Sequence, residues 1–138
     1  MHKLVSESKL EQRYEHINNF EKLLRDHGTH IIKIHLNISK DYQLKRLKRR
    51  LEKPEKWWKF NPGDLDERKL WDSYRESYEE IFKRCSSKES PWYIIPGENR
   101  RFRTLALSQL MLEKLESMDP KFPEATFNIE DYPIESLV

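Results

Sequence analysis

Apolar residues Leu10, Tyr14, Ile17, Phe20 and Leu24 recur at three- and four-residue steps between charged neighbours. That spacing puts them on one face of an amphipathic helix, and Gly28 is placed to end it. Next, Ile32, Ile34, Leu36 and Ile38 alternate with Lys33, His35 and Asn37, a period of two that predicts a strand with its apolar face buried. Ser39 can cap a second helix, in which Leu44, Leu47 and Leu51 form one face and Arg46, Arg49, Arg50 and Lys53 the other, until Pro54 ends it. The stretch PEKWWKFNPG, Pro54 to Gly63, has two prolines and reads as an exposed, partly ordered loop. Asp64 with Glu67 resembles a capping box, so a third helix is expected from there, packing through Trp71, Tyr74, Tyr78, Ile81 and Phe82 to about Arg84. The run WYIIP, Trp92 to Pro96, predicts a second buried strand ended by Gly97. A last helix from about Asn99 to Ser117 should pack through Phe102, Leu105, Leu110, Met111 and Leu115. Pro120, Pro123 and Pro133 then punctuate an acidic, extended tail.

The order helix, strand, helix, helix, strand, helix is that of parallel α/β units, in which a helix crosses over between strands. Two strands make a poor sheet by themselves. One strand edge is therefore expected to take a partner from another chain or another copy.

Charge changes the picture more than overall composition does. Of 138 residues, 26 are Lys or Arg and 24 Asp or Glu, a net +2. Residues 40–60 alone hold nine basic and three acidic groups, so the rest of the chain is net acidic. The three glycines, Gly28, Gly63 and Gly97, stand apart, which excludes a glycine-rich phosphate loop within these residues. The one cysteine, Cys85, excludes an intrachain disulfide and a Cys-based zinc site. No apolar run is long enough for a bilayer, and Met1 to Leu10 lack a signal-peptide core, so a soluble, cytoplasmic protein is expected.

The strongest candidate for chemistry is the basic helix face with the segment after it: Arg46, Arg49, Arg50, Lys53, Lys56 and Lys59, interleaved with Trp57, Trp58 and Phe60. Arginine forks pair bidentately with phosphate oxygens, lysines act as mobile charges, and aromatic planes can stack on bases or pack inward. A solvated helix face with buried tryptophans is the plain alternative. Histidines His2, His16, His27, His30 and His35 do not make a metal-ligand pattern, because Gly28 breaks the helix between His27 and His30. Cys85, beside Ser86 and Ser87, has no base in sequence reach and reads as structural.

Longer strings carry a resemblance. The helix INNFEKLL (17–24), the stretch GTHIIKIHLNISKDYQLKRLKRRLEKPEKWWKF (28–60), DLDERKLWDSYRESYEEIF (64–82) and SPWYIIPGENRRFR (90–103) resemble the C-terminal half of the polyphosphate kinase 2 family, over about residues 10–118. The resemblance implies a partial P-loop-kinase-like three-layer α/β fold, mostly helical, with two parallel strands and a helical lid at about residues 46–84. Residues 1–118 would be that domain part and 119–138 an acidic, proline-containing tail.

The implied reaction is phosphoryl transfer between inorganic polyphosphate and nucleotides, with magnesium as cofactor. Phosphate contacts are expected from Arg46, Arg50, Lys53, Lys56 and Lys59. Glu98-Asn99-Arg100 resembles the family's acidic-polar-basic triplet, with Gly97 where alanine is usual and Arg100 where lysine is, making Asn99 and Arg100 nucleotide-loop candidates. The family's Walker A loop and Walker B acids, which cradle phosphate and hold magnesium, lie upstream of the Ile-Asn-Asn-Phe-Glu helix, and neither occurs in this sequence. A separately encoded or truncated half is thus expected, inactive alone, needing an N-terminal half or forming a homo-oligomer. The alternatives are a non-catalytic polyphosphate- or polyanion-binding regulatory module, with nucleic acid disfavoured, and a gene remnant.

Overall fold

In the computed structural model of the protein, residues 5–134 are described. The chain forms two compact units, one up to Arg103 and one from Thr104. His2 and the last four residues of the expected tail lie outside the described residues.

The first helix, α1 (Glu7–Asp26), is capped by the Ser6 side chain, which accepts from the Lys9 amide. At its other end Gly28 adopts φ +84°, a left-handed conformation that glycine enters without a Cβ clash. There Thr29 N–H donates to Leu24 O and Gly28 N–H to Arg25 O, the paired bonds of a Schellman stop. Strand β1 (Lys33–Asn37) follows, then α2 (Lys40–Glu52), whose cap Ser39 accepts from the Tyr42 amide.

Pro54–Lys59 is a 3-10 helix, not the irregular loop expected. Proline at its first position supplies the φ it needs and has no N–H to leave unpaired. The expected third helix is two: α3 (Gly63–Lys69) and α4 (Trp71–Arg84), interrupted at Leu70 with ψ 15°. Asp64 lies inside α3 and caps nothing; the nearby turn is held by Asn61 Oδ1, which accepts from the Gly63 amide. Strand β2 (Trp92–Pro96) leads into α5 (Arg100–Met118), where Asn99 Oδ1 accepts from the Phe102 amide.

The two strands are parallel, with Lys33 beside Trp92 and Asn37 beside Pro96. They form a two-stranded sheet among the described residues. One face packs on α4, where the His35 ring lies 4.6 Å from Tyr78 and 5.2 Å from Phe82, and Phe82 sits 5.6 Å from Trp92.

Burial departs from the simple alternation expected of β1. Leu36 is exposed, whereas Lys33 is buried. Its ammonium donates to Glu21 Oε2 of α1 at 2.6 Å and to the Cys85 carbonyl at the end of α4, with the Trp92 ring 5.8 Å away. A buried charge is tolerated when it is paired and hydrogen-bonded in this way. Arg84 completes the seam: its two terminal nitrogens grip both Glu11 oxygens, and its plane stacks 4.0 Å over Tyr14.

The core is thin. Among the described residues the buried apolar side chains are Leu47, Cys85 and Ile95. Ile17, Phe20, Leu23 and Ile94 are largely exposed, and so are Phe102, Leu105, Met111 and Leu115 of α5, which were expected to pack. Among the described residues no helix is long and apolar enough to cross a membrane.

Candidate functional site

Both strands run the same way, so their C-terminal ends meet at one end of the sheet, the place where parallel α/β folds commonly bind ligands. Gly97 makes that junction tight. A Cβ there would stand 2.9 Å from Ile38 Cγ2 and 3.2 Å from Asn37 O, and the Gly97 amide donates to Asn37 O at 2.7 Å. The carboxylate of Glu98 then accepts from both the Ser39 amide (2.8 Å) and its hydroxyl (2.6 Å). These bonds hold the Glu98 carboxyl below its ordinary pKa, the hydroxyl contributing most.

Over this junction opens a cleft of about 920 Å³, walled by Leu36, Ile38 and Leu47 and ringed by Arg46, Arg49, Arg50, Arg100 and Arg103. Tyr42, Gln43, Asp64 and Glu67 complete the lining. The arginines differ in what they already hold. Arg50 Nη1 donates to Asp64 Oδ2 at 3.0 Å and to Lys59 O at 3.2 Å. Arg103 Nη1 donates to Gly97 O at 2.7 Å. Arg46, Arg49 and Arg100 have no carboxylate partner among the described residues, so their guanidinium groups remain open to an anion.

A further arginine fixes the cleft wall. Arg68 of α3 donates to the Lys40 carbonyl and, at 2.9 Å, to Gln43 Oε1, tying α3 to the start of α2. Tyr74 donates to Glu67 Oε2 at 2.6 Å, and the nearby carboxylate raises the tyrosine's pKa.

Of the residues expected to contact phosphate, Arg46 and Arg50 line the cleft and Lys53, Lys56 and Lys59 do not; of the nucleotide-loop candidates, Arg100 lines it and Asn99 does not. Lys53 lies on the outer side of α2. Lys59 Nζ sits 4.7 Å over the Trp58 ring. Lys56 is partly buried, and burial, aided by the charges of Arg49, Lys53 and Arg46, lowers its pKa. Asn99 is spent on capping α5. Trp57 and Trp58 are exposed, at 59% and 78%, with their indole N–H groups bonded to Leu51 O and Glu55 O. Buried tryptophans were therefore the wrong alternative.

Sequence reasoning gave Arg103 no role. It stands three residues after Arg100, the helical spacing that could have placed both on one face. Nothing in the sequence pointed to Arg68, whose partners lie 25 and 28 residues away.

The family model of polyphosphate kinase 2 matches residues 1–123. The chain belongs to the polyphosphate kinase 2 family. It is 42% identical over 132 residues to the AMP/ADP-polyphosphate phosphotransferase of Meiothermus ruber, covering 96% of this chain and 49% of that one. To the ADP-polyphosphate phosphotransferase of Rhodopseudomonas palustris it is 43% identical over 115 residues, covering 83% and 40%. It superposes on the crystal structure of polyphosphate kinase 2 from Arthrobacter aurescens TC1 with a TM-score of 0.89 at 40% identity, covering 94% of this chain and 46% of that one. The chain thus spans about half the length of these relatives, and its fold is the mostly helical, P-loop-kinase-like α/β class that the sequence implied.

Magnesium, which the resemblance implied, does not fit these residues by themselves. Among the described residues no group of three or more His, Cys, Asp or Glu side chains is placed to hold a metal ion. The two carboxylates of the cleft are engaged elsewhere, Asp64 by Arg50 and Glu67 by Tyr74.

Proposed function

We propose that these residues form the phosphate-chain-holding part of a polyphosphate–nucleotide phosphotransferase, with inorganic polyphosphate gripped in the arginine cleft. The single observation that carries the reading is that cleft: five arginines against two carboxylates, set over the C-terminal ends of parallel strands. Phosphoryl transfer spreads negative charge over several oxygens, and fixed guanidinium groups that face it stabilise both the bound chain and the charge that develops. Arg46, Arg49 and Arg100 would bind phosphate directly. Arg50, held by Asp64, would present its remaining nitrogens. The segment 46–84 acts as a lid in this reading.

Transfer needs more than a grip. The 138 residues contain no glycine-rich loop to cradle the transferred group, and magnesium would need ligands from elsewhere. By themselves they are expected to bind polyphosphate without turning it over. The complement is a segment equivalent to the other half of the longer relatives, docked on the free edge of β1. The exposed Ile17, Phe20 and Leu23 of α1 support a missing partner, since apolar surface of that kind is normally covered.

Mixing the chain with polyphosphate, magnesium and ADP, with and without the N-terminal half of the Meiothermus ruber relative, tests it. Turnover should appear only with the complement. Robust turnover by the chain alone would refute this version, and binding that never becomes turnover would favour a non-catalytic polyanion-binding module.

A further inference from the structure

The basic surface of α2 does not stop at the cleft. Arg46 and Arg50 form the row that lines it, and the next row around the helix is Lys45, Arg49 and Lys53, each four residues apart. That row, with Asp41, Leu44, Lys48 and Glu52, lines a shallow depression of about 610 Å³. Arg49 belongs to both the cleft and the depression. It is the bridge between them.

These cations are available. Lys45, Lys48, Arg49 and Lys53 are exposed and form no ion pair among the described residues, although Asp41 and Glu52 stand one turn away. At a rise of 1.5 Å per residue the row from Lys45 to Lys53 extends about 12 Å, long enough to meet several successive charges of a linear polyanion. Lys56 joins its far end: burial first, and then the nearby charges of Arg49 and Lys53 against the opposing charge of Glu55, lower its pKa.

We infer that the row Lys45–Arg49–Lys53 is a second binding segment for inorganic polyphosphate, entered from the cleft over Arg49, and that it selects phosphate chains too long for the cleft alone. The inference rests on the reading of the cleft as a phosphate site. A short chain would occupy the arginines over the strand ends. A long one would leave the cleft across Arg49 and run along the outer shoulder of α2, gaining contacts that no short chain reaches. Polyphosphate is favoured over nucleic acid because the shoulder offers charge along a narrow row. The row itself has no aromatic plane for bases to stack on, since Trp57 and Trp58 lie on the following segment.

The test compares tripolyphosphate with long-chain polyphosphate by titration calorimetry on the full chain. Three proteins are used: wild type, the shoulder variant K45Q/K53Q and the cleft variant R46Q/R100Q. Exposed substitutions of this kind leave folding nearly untouched. The shoulder variant should lose about tenfold in affinity for the long chain, with a shallower salt dependence, and keep wild-type affinity for tripolyphosphate. Unchanged long-chain affinity, or equal losses for both ligands, would overturn the second segment while leaving the cleft reading intact. If the cleft variant binds tripolyphosphate as wild type does, the cleft reading falls, and this inference with it. Tighter binding of a single-stranded oligonucleotide of equal charge would also overturn it.

Discussion

One oxygen of Glu98 receives both the amide and the hydroxyl of Ser39, residues 59 positions apart in sequence. This pair joins the loop between the second strand and α5 to the first turn of the basic helix, and α2 and α5 carry the arginines of the cleft. Arg46 and Arg49 follow it on α2 and Arg100 on α5, so the pair ties together the two elements that present them. Glu98→Ala should weaken tripolyphosphate binding by about tenfold, because two donors lose their acceptor and the helix start is released. Glu98→Gln keeps an acceptor oxygen and should restore most of the affinity. Equal losses in both variants would show that the charge of Glu98 matters and its geometry does not.

Arg50 differs from the other cleft arginines because Asp64 already neutralises it. Removing Arg50 leaves that carboxylate facing the bound phosphate chain without a counter-charge. Arg50→Gln should therefore cost more affinity than Arg46→Gln, and the double change R50Q/D64N should recover part of the loss. A double-mutant cycle by calorimetry measures the coupling. Independent, additive effects would contradict the assignment.

Buried Lys33 and Glu21 form the seam between α1 and β1, with the lysine 8% and the glutamate 13% exposed. Breaking such a pair by removing one partner leaves an uncompensated buried charge, which typically costs about 3 kcal/mol. Glu21→Ala should lose that much in denaturant unfolding. The paired replacement E21L/K33M should be far milder, since neither charge then remains.

His35 stands between Tyr78 and Phe82, and burial lowers its pKa below the ordinary histidine value. The unfolded chain takes up the proton more readily than the folded one, so stability is unaffected above about pH 6.5 and falls as pH drops below it, until the folded histidine also protonates. Thermal unfolding between neutral and mildly acidic pH should show this loss. The variant His35→Phe should show a smaller one over the same range.

Local patterns were legible in the sequence wherever they depend on neighbours along the chain. Gly28 as a helix stop, Ser39 as a cap, both strands and the basic face of α2 all follow from spacing of two to four residues. Misreadings arose where a distant partner decides the outcome. Asp64 looked like a cap, but Arg50 reaches it from fourteen residues away. Lys33 looked like the solvent face of a strand until Glu21 and the Cys85 carbonyl closed over it. The cleft was half visible for the same reason. The sequence displayed the arginines of α2 as a run, whereas Arg100 and Arg103 join them only because parallel strands bring the two helix starts to one end of the sheet. Lys56 and Lys59 shared the run and were counted with it, but the 3-10 helix from Pro54 carries them away from the cleft.

The most direct test of the central claim is calorimetric titration of tripolyphosphate into the intact chain at two salt concentrations, with R46Q/R100Q beside wild type. Saturable binding that weakens with salt and is lost in the variant is the predicted result. Absence of binding at low salt, or full binding by the variant, would contradict the assignment of the arginine cleft as the phosphate site.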